Sequence, residues 1–227
     1  MKYLSTLGAA TALVNSVAGH YIWTQLDIDG QTGVGADGGI RPNSNYNSPV
    51  VDLDSPDLRC NEGGLDGSGT AVREISAGSK FTFHSDVAVY HQGPLSVFLS
   101  QAPGSVKEYQ GDGLWQKIAD IGPTFGGGQA SWDLSQEYSF TFPSCIPDGE
   151  YLLRISQLGI HNPWPAGVPQ FYTACAQISV SGGSGSGWAP DLSIPGDFSE
   201  SDSGYTANIY DPNFTSYEVP GGPVKSC

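Results

Sequence analysis

No apolar run in this chain is longer than a strand, and each one is closed by Gly, Pro, Asn, Asp or Ser. That punctuation leaves little room for helix and predicts an all-β fold with long loops. Gly (31) and Pro (16) far outnumber Lys and Arg (9 together), which fits a chain that turns often. Strand-like segments fall at Phe81–Phe83, Val87–Tyr90, Leu95–Leu99, Tyr138–Phe142, Tyr151–Ile155 and Phe171–Val180, several with period-two alternation. Between them, the Gly-rich 122–128, the segment 159–169 and the opening 29–49 read as loops. With 227 residues, one core is the working assumption.

The formal net charge of −14 excludes a nucleic-acid binder, which needs clustered Lys and Arg, and disfavours anionic membranes. A neutral polymer is indifferent to that charge. Residues 1–19 carry Lys2, an apolar stretch from Leu7 to Val14, and Val17-Ala18-Gly19, the pattern of a signal peptide. Cutting after Gly19 places His20 at the mature N-terminus; Ser16-Val17-Ala18 offers a second site, which would leave Gly19 first. No later segment reaches about 18 consecutive apolar residues, so the expectation is a secreted, extracellular protein. Four cysteines in such a chain imply two disulfides with three possible pairings. The Gly/Ser run after Val180 resembles a linker, but the stretch beyond it is too short for a second module, so 181–227 reads as a tail laid along the domain of 20–227. Asn213-Phe214-Thr215 is an N-glycosylation sequon.

Each of the four histidines, His20, His84, His91 and His161, can be weighed singly. A histidine at a free N-terminus offers two nitrogens to one metal, its α-amine and its ring Nδ1. A second imidazole completes a planar nitrogen set, a geometry that favours Cu(II). His84 has no such context and is assigned to structure.

Several stretches then occur in order: His20, Asn47-Ser-Pro-Val, SPDLRCNEGG (55–64), HQGPLSVFLSQAPG (91–104), FPSCIPDGEYLLRISQLGIH (142–161), QFYTACAQISVSGG (170–183), Asn208-Ile-Tyr and a late Tyr-x-x-Pro-Gly (217–221). Together they resemble the fungal cellulose-active lytic polysaccharide monooxygenases, auxiliary activity family 9, once classed as glycoside hydrolase family 61. The resemblance implies an immunoglobulin/fibronectin-like β-sandwich and one copper ion held by His20 and His91, with Tyr172 axial. It implies His161 and Gln170 as a hydrogen-bonding pair beside the copper. Tyr217, Tyr46 and Tyr205 are the candidates for stacking on glucose rings. Cys60 would pair with Cys175, and Cys145 with Cys227. The implied reaction is oxidative cleavage of cellulose or a related β-glucan at carbon 1 or carbon 4 by a monomer, using an external electron donor and hydrogen peroxide or dioxygen. A strand reading agrees in one respect, since Gln170 and Tyr172 at i and i+2 share a face. The loop 159–169 departs from the commoner pattern in its bulky Asn162, Pro163, Trp164 and Pro165. A hydrolase would need two carboxylates about 5–10 Å apart, and no local carboxylate motif stands out. The other rival is a copper- or carbohydrate-binding protein without activity, which would bind copper yet release nothing from cellulose.

Overall fold

The computed structural model describes residues 20–127 and 129–227; the expected signal peptide lies outside the described residues. The strands are β1 (Trp23–Ile28), β2 (Gln31–Val34), β3 (Arg73–Ser76), β4 (Lys80–Ser85), β5 (Leu95–Gln101), β6 (Gln116–Ile121), β7 (Thr124–Gly126), β8 (Gln129–Ser131), β9 (Glu137–Thr141), β10 (Gly149–Gly159) and β11 (Gln170–Ser181). Helix among the described residues is limited to short 3-10 turns at Pro56–Leu58 and Val106–Glu108.

A four-stranded sheet in the order β2-β1-β4-β9 faces a five-stranded sheet in the order β3-β11-β10-β5-β6, with β7-β8 as a separate hairpin. This is a β-sandwich. Among the described strands only the β3 edge pairs parallel, with β11. Inward residues alternate as the pleat requires. Leu26 and Ile28 of β1, with Phe81 and Phe83 of β4, meet Leu153 and Ile155 of β10 and Ala174 and Ile178 of β11. Each fully buried side chain of this kind contributes about 1.5–3 kcal/mol.

The five-stranded sheet is buried on both faces. Its outer face, with Phe98, Leu152, Leu158 and Phe171, is covered by Leu58, Ile194, Phe198 and Tyr205 from the loops and the tail. That is why β10 is buried along nearly its whole length, polar Arg154, Ser156 and Gln157 included. The tail is tied down by Trp115 N donating to the Leu192 carbonyl (2.7 Å), Lys117 Nζ to the Pro220 carbonyl (2.8 Å) and Lys225 N to the Lys117 carbonyl (2.9 Å). The disulfides are Cys60–Cys175 and Cys145–Cys227.

Three expectations are corrected, one being the Gly-rich 122–128, expected as a loop, within which Thr124–Gly126 forms β7. Val87–Tyr90 forms no strand, because its backbone leaves the β4 ladder after Ser85 to enter the loop that carries His91. Residues 31–34, expected in a loop, form β2 with Gly33 inside it. A Cβ at Gly33 would meet the Arg73 guanidinium at 1.5 Å, so glycine here makes room for a cross-sheet arginine rather than a turn.

Two buried guanidiniums fix the long loop that follows β2. Arg41 donates to Gln177 Oε1 and to the Val106, Tyr109 and Gly64 carbonyls. Arg154 donates to the Leu58 and Arg59 carbonyls while lying 4.9 Å from the Phe98 ring centre. With Cys60–Cys175, they pin residues 41 and 58–60 to the central strands, and the intervening stretch delivers Tyr46 and Asn47 to one end of the sandwich.

Candidate metal centre

Three elements converge at that end. His20 stands ahead of β1, in a segment clamped to the β4–β5 loop by paired bonds between Ile22 and Asp86, both 2.9 Å. His91 comes from that same loop. Gln170 and Tyr172 open β11, and His161 follows β10 directly.

The His20 and His91 rings lie 6.0 Å apart, centre to centre, inclined at 60°. The Tyr172 ring sits 5.8 Å from His20 and 5.5 Å from His91. Tyr172 is 2% exposed, and its hydroxyl donates to Gln170 Oε1 at 2.7 Å. Burial, followed by the charge of Tyr90, raises the Tyr172 phenol well above its ordinary value, so it stays a neutral donor. His161 stacks flat on His91, 3.7 Å between ring centres and 4° between planes. A Cβ at Gly159 would come within 3.1 Å of His161 Nδ1 and 3.3 Å of His91 Cβ, so a side chain there would crowd both rings. Burial first, and His20 second, pull the His161 imidazole below its ordinary pKa, favouring the neutral ring.

The sequence reading missed several supporting residues. Asn47 Nδ2 donates to the His20 carbonyl at 3.3 Å. Tyr21 stacks on Tyr172 at 4.3 Å, and its hydroxyl donates to Gln157 Oε1. Gln157 Nε2 in turn donates to the His91 carbonyl at 3.0 Å. Tyr210, 63% exposed, donates to the His161 carbonyl at 3.0 Å. Asn47, Gln157 and Tyr210 all lie in quoted motifs, so their signal was present, but the partners of Gln157 come from Tyr21 and His91, far away in the chain.

Of the expected stacking tyrosines, only Tyr46 is open, at 67% exposure and one residue from Asn47. Tyr205 is corrected: at 1% exposure it belongs to the core, against Phe171 and Trp164. Tyr217 is half-buried, with its hydroxyl on the Gly204 carbonyl and its ring against Trp132 and Phe214, which makes it a support for other aromatics. His84 stands away from the site, between Asp27 (3.1 Å) and Glu137 (3.4 Å).

Among the described residues, no group of three or more His, Cys, Asp or Glu is placed to hold a metal. The donor set at this end is instead two imidazoles and a phenol, nitrogen-rich ligands of the kind that suit copper, and those residues fit such an ion. The profile of Auxiliary Activity family 9 (formerly GH61) matches residues 20–217. The chain belongs to auxiliary activity family 9. It is 57% identical to AA9 family lytic polysaccharide monooxygenase E of Podospora anserina over 227 residues, all of this chain and 76% of that one. Against AA9 family lytic polysaccharide monooxygenase A of Botryotinia fuckeliana it is 54% identical, covering 82% of this chain and 58% of the relative. A cellulose-active polysaccharide monooxygenase from M. thermophila superposes with a TM-score of 0.78 at 28% identity, covering 90% of this chain and 98% of that one. This family member is therefore an oxidoreductase that cleaves polysaccharides oxidatively, and copper dependence is a property of its family.

Proposed function

We propose that the ring and freed α-amine of His20 and the ring of His91 would hold one copper ion, with the Tyr172 phenol as a further donor beside them, and that the chain cleaves cellulose or a related β-glucan. The observation that carries this reading is the convergence of the His20, His91 and Tyr172 rings within 6.0 Å at one end of the sandwich. When bound, copper supplies one-electron chemistry toward dioxygen or hydrogen peroxide, which leads to hydroxylation at carbon 1 or carbon 4 of a glycosidic bond.

The protein's own residues do the rest. Tyr172 holds its proton toward Gln170 Oε1 and leaves that amide's Nε2 donor available for the oxygen co-substrate. His161, neutral and stacked on His91, stands as the second hydrogen-bonding group. Exposed Tyr46 and Tyr210 flank the histidines and offer flat faces to sugar rings. The net charge of −14 does not oppose a neutral polymer.

The working state in this reading is a secreted monomer supplied by an external electron donor. No helix among the described residues is long and apolar enough to cross a membrane. Asn213 is exposed, as a glycan acceptor must be. Mass spectrometry of products from cellulose incubated with copper-loaded protein and ascorbate tests the proposal. Oxidised oligosaccharides are expected; unoxidised sugars alone, formed without reductant, would replace it with a hydrolase.

A further inference from the structure

The first bulky residue of the loop 159–169, Asn162, bonds to the ring of the histidine before it: Asn162 Nδ2 lies 3.3 Å from His161 Nε2. A carboxamide nitrogen only donates, so Nε2 accepts. A protonated Nε2 would set donor against donor, and the contact therefore calls for a bare Nε2 and a proton on Nδ1. The two ring nitrogens have different surroundings. Nε2 faces Asn162, an exposed residue, whereas Nδ1 is buried and has no hydrogen-bond partner among the described residues. Nδ1 faces the end of β10, where a Cβ on Gly159 would come within 3.1 Å of it.

Both partners are held in place by the chain around them. Pro163 and Pro165 restrict the backbone that follows Asn162. Gly167 N donates to the Pro163 carbonyl at 2.8 Å and closes a turn against Asn162. A Cβ at Gly167 would stand 2.7 Å from the Asn162 Cβ, so only glycine lets the turn close this tightly. Within that turn, Trp164 packs 6.3 Å from the buried Tyr205 ring. On the other side, Tyr210 holds the His161 carbonyl at 3.0 Å, and the His161 ring lies flat on His91.

We propose that Asn162 is a positioning residue that holds His161 as its Nδ1–H tautomer. The inference rests on the proposed role of His161 as a hydrogen-bonding group for the oxygen co-substrate, and it names the atom that donates. A buried N–H without a protein partner is costly, so Nδ1 gains from an accepting oxygen that a guest brings. Asn162 meanwhile caps the outward nitrogen and keeps the proton from settling there.

Nitrogen NMR of isotopically labelled protein tests the assignment. It is run on the copper(I) form, which is diamagnetic, and on the copper-free form, so that the tautomer is read whether or not the proposed ion binds. Correlations to the ring C–H protons tell Nδ1 from Nε2, and a protonated ring nitrogen resonates far from a bare one. Nδ1–H is expected in the unsubstituted protein. Asn162→Asp keeps the shape but offers only acceptors, so the proton is expected to move to Nε2. Asn162→Leu removes the bond and is expected to populate both tautomers. Release of oxidised products is expected to fall about tenfold in Asn162→Asp, with copper affinity and melting temperature unchanged. An Nε2–H ring in the unsubstituted protein, or a tautomer that stays put in both variants, would overturn the proposal. A tautomer that moves as expected while product release stays the same would support the role of Asn162 and remove His161 from the proposed function instead.

Discussion

Tyr21 and Gln157 are joined side chain to side chain, the phenol hydroxyl donating to Oε1 while the same amide donates through Nε2 to the His91 carbonyl. Gln157 is 1% exposed and lies opposite Tyr172 in the β10–β11 register. One buried amide thus links the residue after His20 to the backbone of His91.

Replacing Gln157 by Leu strips a buried hydroxyl and a buried carbonyl of their partner. A loss of about 1–3 kcal/mol in stability is expected. Copper affinity is expected to fall about 10–100-fold, the usual effect of removing a group that orients a ligand. Thermal unfolding and copper titration by calorimetry read the two effects separately. Lowered stability with unaltered copper affinity would reduce Gln157 to a packing role.

The tyrosines separate by exposure. Tyr46→Ala and Tyr210→Ala should weaken retention on cellulose several-fold each while leaving the fold intact, since both rings face solvent. Tyr205→Ala should leave a core cavity and cost about 3–5 kcal/mol, by analogy with other buried aromatics. A cellulose pull-down beside a melting curve distinguishes them. Retention unchanged in both surface variants would place the polymer elsewhere.

This contrast marks what the sequence made legible. The β-class and the motif-bearing loops were visible because strand alternation and turn residues act locally. His20, His91, His161, Gln170 and Tyr172 were found from chain order and motif, and the structure brings them to one end of the sandwich. Tyr205 was misread because its environment comes from the tail folding over the outer face of the five-stranded sheet, and no local period reports that covering. β2 was hidden by Gly33, whose missing side chain is explained only by Arg73 from a distant strand. Gln157 could not be assigned a partner without the β10–β11 register.

The two disulfides should be unequal in effect. They close separations of 115 and 82 residues, and the chain-entropy relation gives roughly 4–5 kcal/mol for each. The pair Cys145→Ser and Cys227→Ser frees the tail near the start of β10, about 35 Å along that strand from His161. Stability should drop and proteolysis should begin in the tail, with copper affinity retained. Cys60→Ser with Cys175→Ser releases the loop bearing Tyr46 and Asn47 and should weaken copper binding as well. Identical copper affinity in both double variants would show that this loop does not support the site.

Alkaline pH should unfold the protein through its buried phenols. Burial pushes Tyr138 up to about 12 and raises Tyr151 and Tyr217 further. Each has an unfolded value near 10, so its contribution is fully present below pH 10 and is lost as pH rises toward the folded value. The buried Arg41, Lys117 and Arg154 act oppositely, because desolvation lowers their folded pKa, but burial raises Tyr21, Tyr172 and Tyr205 as well, which keeps the phenols in the majority. Denaturant midpoints should therefore fall from about pH 10 upward. Tyrosinate absorbance for these residues should appear together with loss of the β-sheet circular dichroism. Ionisation of all three ahead of unfolding would contradict the burial argument.

The sharpest prediction concerns the nitrogen of His20. A peptide nitrogen lacks the basic lone pair of an amine, whereas a free α-amine, with a reference pKa of about 8, becomes a ligand once its proton is displaced. With His20 internal, its ring and that of His91 are left without the amine, and two imidazoles alone make a poorer copper site than two imidazoles and an amine. Protein processed to begin at His20 should bind copper tightly and release oxidised products from cellulose. Protein retaining one residue ahead of His20 should keep the sandwich and both disulfides, bind copper far more weakly and release no oxidised product. Copper titration, circular dichroism and product mass spectrometry on the two forms give the comparison, and full activity in the extended form would rule out the amine as a ligand.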